Sequence, residues 1–136
     1  MKTIDVTVSR LIPGPAADVF AVWLDPACPG SPWHGAKKII AHVAVDGLFY
    51  WGHEHAGEVY PHYGRFLKLE RGKLAEYTWM SNNTHGRETT VSVSFEPRAG
   101  GTQVTIQHRG LPDDEDGRDH EEGWEYFLAQ LEKSRK

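Results

Sequence analysis

The stretch Gly101-Thr102-Gln103-Val104-Thr105-Ile106-Gln107-His108-Arg109-Gly110-Leu111-Pro112, followed by Asp113-Asp114-Glu115-Asp116 and then by His120, Trp124, Phe127, Leu128 and Leu131, decides the fold. Its first half alternates, with Val104, Ile106 and His108 on one face, the period of a half-buried strand. After Leu111-Pro112 the apolar residues recur at i, i+4, i+7, i+8 and i+11, which predicts a long amphipathic helix. Acidic residues crowd its first half, and Lys133, Arg135 and Lys136 its end, the order that the helix dipole favours. Read alone, the acidic run suits a capped, solvated helix start better than a metal or partner site. Gly117 and Gly123 are unexpected there, since each costs a helix about 1 kcal/mol relative to Ala. Gly123 lies beside the apolar stripe, where it either lets a strand approach or leaves room for a ligand.

Upstream, residues 37 to 110 carry β-branched and aromatic runs separated by turn signals at Asp46-Gly47, Gly57, Arg71-Gly72, Asn82 to Gly86 and Ala99-Gly100-Gly101. These predict a meander, with Asp46-Gly47 as the turn of a hairpin joining 38–45 to 48–55 and further strands at about 59–69, 74–80, 88–96 and 102–109. At the start, Ile4, Val6 and Val8 alternate with polar residues as a first strand, which Pro13-Gly14-Pro15 ends. Val19, Phe20, Trp23 and Leu24 then recur at helical spacing up to Asp25-Pro26. The expected fold is α+β: a curved antiparallel sheet of six to seven strands wraps a long C-terminal helix, with one or two short helices after the first strand. The 136 residues suit a single domain, 1–136, able to bury about two-thirds of its unfolded surface.

The same order of elements and motifs resembles the SRPBCC (START-like) superfamily. The resemblance is carried by Ile12-Pro13-Gly14-Pro15-Ala16-Ala17-Asp18-Val19-Phe20, Tyr77-Thr78-Trp79, the Gly101 to Pro112 strand, and Gly123-Trp124-Glu125-Tyr126-Phe127-Leu128-Ala129-Gln130-Leu131. It is closest to the bacterial branch related to the C-terminal domain of the activator of the heat-shock-protein ATPase, and it covers nearly the whole chain. It implies a helix-grip fold with a hydrophobic cavity between sheet and last helix, and no particular reaction. The co-chaperone carries a further domain ahead of this one whereas the present sequence opens on the first strand, so a chaperone partner is not the first expectation.

Composition narrows the function classes. A formal net charge of −4, from 15 basic and 19 acidic residues, offers no basic footprint for nucleic acid. The start Met1-Lys2-Thr3-Ile4-Asp5 lacks the apolar run of a signal peptide and Cys28 is alone, so a cytoplasmic protein without membrane insertion is expected. No Gly-x-Ser-x-Gly elbow or phosphate-binding glycine loop occurs, and Cys28 has no partner motif. Neither a cofactor nor a structural metal is expected.

The candidate site is read from the strand faces. Phe49, Trp51, His53 and His55 share one face of their strand. A two-residue turn at Ala56-Gly57 sets Tyr60 opposite His53 and His62 opposite Trp51, and a bulge beyond Gly64 accounts for the lost parity at Phe66, Leu67 and Leu69. Three readings of His53, His55 and His62 stay open: a zinc site, solvated edge residues, or polar anchors at a cavity mouth. His108 and His120 extend the third, although either also suits a satisfied core histidine. The expected cavity is lined by Trp51, Trp79, Phe95, Trp124 and Phe127, with Phe49, Tyr60, His53, His62, His108 and His120 as further ligand contacts. The function that follows is binding of a small hydrophobic molecule. The alternatives are a cyclase-like or hydrolytic enzyme using cavity histidines, and a protein-interaction module of co-chaperone type.

Overall fold

In the computed structural model, which describes residues 2–136, seven strands form one antiparallel sheet. They are β1 (Thr3–Ile12), β2 (Lys38–Ala41), β3 (Leu48–His55), β4 (Glu58–Glu70), β5 (Leu74–Ser81), β6 (Thr89–Arg98) and β7 (Gly101–Pro112), in the spatial order β1-β7-β6-β5-β4-β3-β2. Helix α1 (Ala16–Leu24) follows β1, and α2 (Glu115–Ser134) closes the chain. A single 3-10 turn, Asn82–Thr84, joins β5 to β6. This is the helix-grip arrangement, with one short helix after the first strand.

The sheet's inner face is built in cross-strand rows. Val6, His108, Val91, Tyr77 and Phe66 stand side by side on β1, β7, β6, β5 and β4, and all five are buried. Val8, Ile106, Val93 and Ala75 form the adjoining row. Trp124, Leu128 and Leu131 of α2 and Val19, Phe20, Trp23 and Leu24 of α1 complete the core. Phe95 packs edge-on against Phe20 at 5.3 Å, under α1.

Two local irregularities shape the sheet. On β7 one extra residue is accommodated at Gly110, whose φ of +82° suits glycine and whose N–H donates to Asp5 Oδ1 at 3.1 Å. On β4, Phe66 faces Tyr77 and Lys68 faces Glu76, so Leu67 is the inserted residue of the expected bulge. The β3–β4 register is the expected one, with Trp51 opposite His62 and His53 opposite Tyr60.

The first hairpin differs from expectation. β2 stops at Ala41, and Lys38 pairs with Gly52 and Ala41 with Phe49, so Asp46-Gly47 is not a two-residue turn. The reason is competition from β4. Asp46 N–H donates to the Phe66 carbonyl at 2.8 Å and Phe66 N–H to the Gly47 carbonyl at 2.9 Å, which ties both turn residues to the neighbouring strand and opens a longer loop.

The segment between α1 and β2 reaches inward. Ser31 Oγ donates to the Trp23 carbonyl at 2.9 Å and accepts from Trp33 N–H at 3.2 Å, turning Trp33 under the sheet. There its ring lies 5.5 Å from Phe49, 5.8 Å from Tyr77 and 6.1 Å from Phe66, and it is 1% exposed. Trp33 therefore fills the middle of the wrap, and open volume remains toward the first half of α2.

Candidate functional site

That volume is a pocket of about 510 Å³ between the first half of α2 and the far side of the sheet. The sheet contributes Trp51 and His53 from β3, His62 from β4 and Trp79 from β5, with Asn83 from the 3-10 turn. The helix contributes Asp116, Asp119, His120, Glu122, Gly123, Trp124, Tyr126 and Phe127.

The helix is held there by its own N-terminus. Asp114 caps it, accepting from Gly117 N–H at 3.0 Å, and its other carboxylate oxygen lies 2.7 Å from His85 Nε2. These two contacts lower the Asp114 pKa, the Gly117 bond first. A Cβ on Gly117 would collide with the Pro112 carbonyl, so this glycine lets the helix start fold tightly back on the end of β7. A Cβ on Gly123 would meet nothing within 4 Å, because the residue faces the pocket. Of the two roles open for Gly123, the structure thus gives it the vacant one.

Four aromatic side chains close a cycle around the wall. Ring centroids are 5.7 Å apart for Trp51 and Trp79, 5.0 Å for Trp79 and Trp124, 5.9 Å for Trp124 and Phe127, and 5.9 Å for Phe127 and Trp51. His62 stacks on Trp51 at 4.4 Å and lies 4.9 Å from Trp79. Burial among these rings lowers the His62 pKa to about 4. Burial also lowers the pKa of His53 and of His120, so all three pocket imidazoles are neutral at pH 7. His120 Nδ1 donates to the Asp116 carbonyl at 2.9 Å, which leaves its Nε2 as an acceptor.

His108 lies just behind the wall and does not line it. Trp124 Nε1 donates to His108 Nδ1 at 3.0 Å, and His108 Nε2 donates to Thr89 Oγ1 at 2.6 Å. The Thr89 hydroxyl donates in turn to the Trp79 carbonyl at 2.6 Å. Only one tautomer satisfies this chain, and burial holds the His108 pKa well below the usual histidine value. His108 is a satisfied core residue that braces two pocket tryptophans.

Of the residues expected at the site, Trp51, His53, His62, Trp79, His120, Trp124 and Phe127 come together here. Phe49 packs inward on Trp33 and Phe66, Phe95 sits beneath α1, and Tyr60 lies farther along the β3–β4 hairpin, 37% exposed. None of these three is among the lining residues. His53, His55 and His62 do not converge as metal ligands. Among the described residues the one trio of His, Cys or carboxylate groups with ligand atoms all within 4.8 Å is His85, Asp114 and Asp116. Cys28 Sγ donates a hydrogen bond to Asp25 Oδ2 at 3.5 Å, and partial burial, then Asp25, raises its pKa, which disfavours the thiolate.

Asp116, Asp119, Glu122 and Tyr126 were not singled out from sequence. The signal was present: Asp116 lies four residues from His120, Asp119 four and Tyr126 three from Gly123, and Glu122 four from Tyr126 on the same helix.

The sequence profile described as Activator of Hsp90 ATPase homolog 1-like protein matches residues 13–134. The chain belongs to this family. No curated protein matches it. The Aha1-like fold recurs in solved structures. Protein CV1439 from Chromobacterium violaceum superimposes with a TM-score of 0.77 at 21% identity, covering 96% of each chain. Protein SA2116 of Staphylococcus aureus, described as of unknown function, does so with 0.78 at 17%, covering 98% of this chain and 93% of that one. Ara h 8.0201 gives 0.75 at 14%, covering 97% of both. These likenesses establish a START-like fold for this Aha1-like chain, and no helix among its described residues is long and apolar enough to cross a membrane.

Proposed function

We propose that the protein binds a small, largely apolar molecule in the pocket between α2 and the β3–β5 side of the sheet. The observation that carries this reading is the pocket wall itself. Trp51, Trp79, Trp124 and Phe127 meet the imidazoles of His53, His62 and His120 around one concave space of about 510 Å³. A ligand with an aromatic or alicyclic body and one or two polar atoms fits an apolar pocket with a few imidazoles at its edge. A volume of about 510 Å³ suits a molecule of two or three fused rings.

The test has two parts. Native mass spectrometry of freshly purified protein should show an adduct that disappears on denaturation. Titration with naphthylmethanol should quench the pocket tryptophans saturably in the wild type, and not in Gly123→Phe, whose added ring would occupy the pocket. Equal, unsaturable quenching of both proteins would exclude the pocket as the binding site.

A second reading is acid–base catalysis on the bound molecule. It is favoured by His120, a neutral imidazole with Nδ1 committed to a backbone carbonyl and Nε2 open as a proton acceptor. Under this reading His120→Gln abolishes turnover of a bound substrate while leaving its binding within a few-fold.

A further inference from the structure

The polar groups around the pocket differ in what they still have to offer. All three pocket tryptophans withhold their N–H donors. Trp124 Nε1 is spent on His108 Nδ1 at 3.0 Å, and Trp51 Nε1 and Trp79 Nε1 are sealed beneath the wall. His62 is packed into the same wall, 4.4 Å from the Trp51 ring, and its Nδ1 is sealed as well. No lysine or arginine is among the lining residues. His53, Asn83 and Tyr126 each carry a donor and an acceptor, but all three are exposed and keep water as their partner.

His120 is placed differently. It is half-buried, on the first half of α2. Its Nδ1 lies 2.9 Å from the Asp116 carbonyl, and because a carbonyl oxygen can only accept, the ring proton sits on Nδ1. Nε2 is thereby fixed as a lone pair, and it is not sealed as the tryptophan nitrogens are. Gly123 follows His120 by three residues and Phe127 follows Gly123 by four, which sets the three on one side of the helix. A Cβ on Gly123 would meet nothing within 4 Å. A ring resting over Gly123, beside the half-buried Phe127, therefore brings a substituent to His120 one turn toward the helix start.

We infer that the ligand is a hydroxylated aromatic, of the phenol class, whose O–H donates to Nε2 of His120. This rests on the reading of the pocket as a ligand site, and goes beyond it by fixing the ligand's polar group as a hydrogen-bond donor. A ketone, an ether or a carboxylate brings lone pairs only, which sets acceptor against acceptor at Nε2. A carboxylate in addition finds no cation among the lining residues.

Three probes with one ring system test the assignment: naphthol, methoxynaphthalene and naphthoate, titrated by calorimetry near pH 7.5, where the phenol is neutral and the acid ionised. Apolar burial alone would favour the ether, which is larger and less well hydrated than the phenol. Donation to His120 should reverse that order, with naphthol binding roughly five- to ten-fold more tightly than methoxynaphthalene and naphthoate no better than the ether. In His120→Leu, shown to be folded by its thermal transition, the ratio of naphthol to ether affinity should fall to about two or below. A preference set by ligand size would survive that substitution. If the wild type binds the ether as tightly as naphthol, or naphthoate best, or if the ratio persists in His120→Leu, the donor assignment is wrong while the pocket reading stands. The wild-type ranking alone can overturn it, whatever the variant does. If no probe binds the wild type, the pocket reading fails and the assignment falls with it.

Discussion

Trp124 on α2 donates its indole N–H to Nδ1 of His108 on β7 across 3.0 Å, among the described residues the one hydrogen bond between a side chain of the gripped helix's apolar face and the sheet's inner face. His108 stands in a row otherwise made of Val6, Val91, Tyr77 and Phe66. Apolar contact alone would let α2 slide along such a row, whereas this bond pins its register at the level of the pocket.

Replacing His108 by Leu leaves Trp124 Nε1 buried without an acceptor, so a loss of about 2 kcal/mol in urea denaturation is expected. Trp124→Phe should cost a comparable amount. In a double-mutant cycle the two losses should be sub-additive by about 1 kcal/mol, whereas strict additivity would mean that the bond is not formed in solution.

Stability should fall with acid. The folded His62 pKa, about 4, lies below the ordinary value of 6.5. Between those two values the unfolded chain therefore binds a proton that the fold refuses. The stability is fully present above pH 6.5, is lost as pH falls toward 4, and amounts to at most about 3 kcal/mol from this residue. His108 acts in the same direction. Unfolding free energies measured across this window should slope less steeply in His62→Gln, by close to one proton. An unchanged slope would show that His62 is already protonated in the fold.

Two glycines of one helix should respond with opposite sign. Gly123→Ala places a methyl in open pocket space and removes a helix-weakening residue, so stability should rise by about 0.5–1 kcal/mol. Gly117→Ala drives a methyl into the Pro112 carbonyl and should cost about 2 kcal/mol or more. Thermal denaturation of the two variants side by side decides this, and a stabilised Gly117→Ala would contradict the tight start of α2.

His53 and His120 stand on opposite sides of the pocket, one on β3 and one on α2. If they contact the ligand, His53→Leu and His120→Leu should each weaken naphthylmethanol binding by about two- to twelve-fold and change stability by less than about 1 kcal/mol. Core histidines would give the reverse: a lowered melting temperature with affinity intact.

The strand faces and the helix stripe were legible because each follows from a period within one segment. That period gave the inward row of β7 and a bulge beyond Gly64, the Ala56-Gly57 turn gave the pairing of Trp51 with His62, and Gly123 was left open between a strand's approach and room for a ligand. What sequence left open depends on neighbours distant along the chain. His108 is settled as core by Thr89, 19 residues away, and Trp124, 16 away. The Asp46-Gly47 turn is overruled by Phe66 on another strand. Asp116, Asp119 and Glu122 read as a solvated helix face because a solvated face and a pocket rim share one composition. Only the curl of β3 and β4 opposite them distinguishes the two.

The inward tuck of Trp33 gives the fold a stopper carried on a loop rather than on any wall. Interior and rim are thereby separate: the side chains at the pocket mouth can stay as they are while one substitution at residue 33 opens space beside Phe49, Phe66 and Tyr77. Trp33→Ala should lengthen the chamber toward Phe49, Phe66 and Tyr77 and shift uptake from two-ring toward longer ligands, which a series of alkylated naphthalenes would register. A scaffold filled from a loop can gain interior volume without redesigning its entrance.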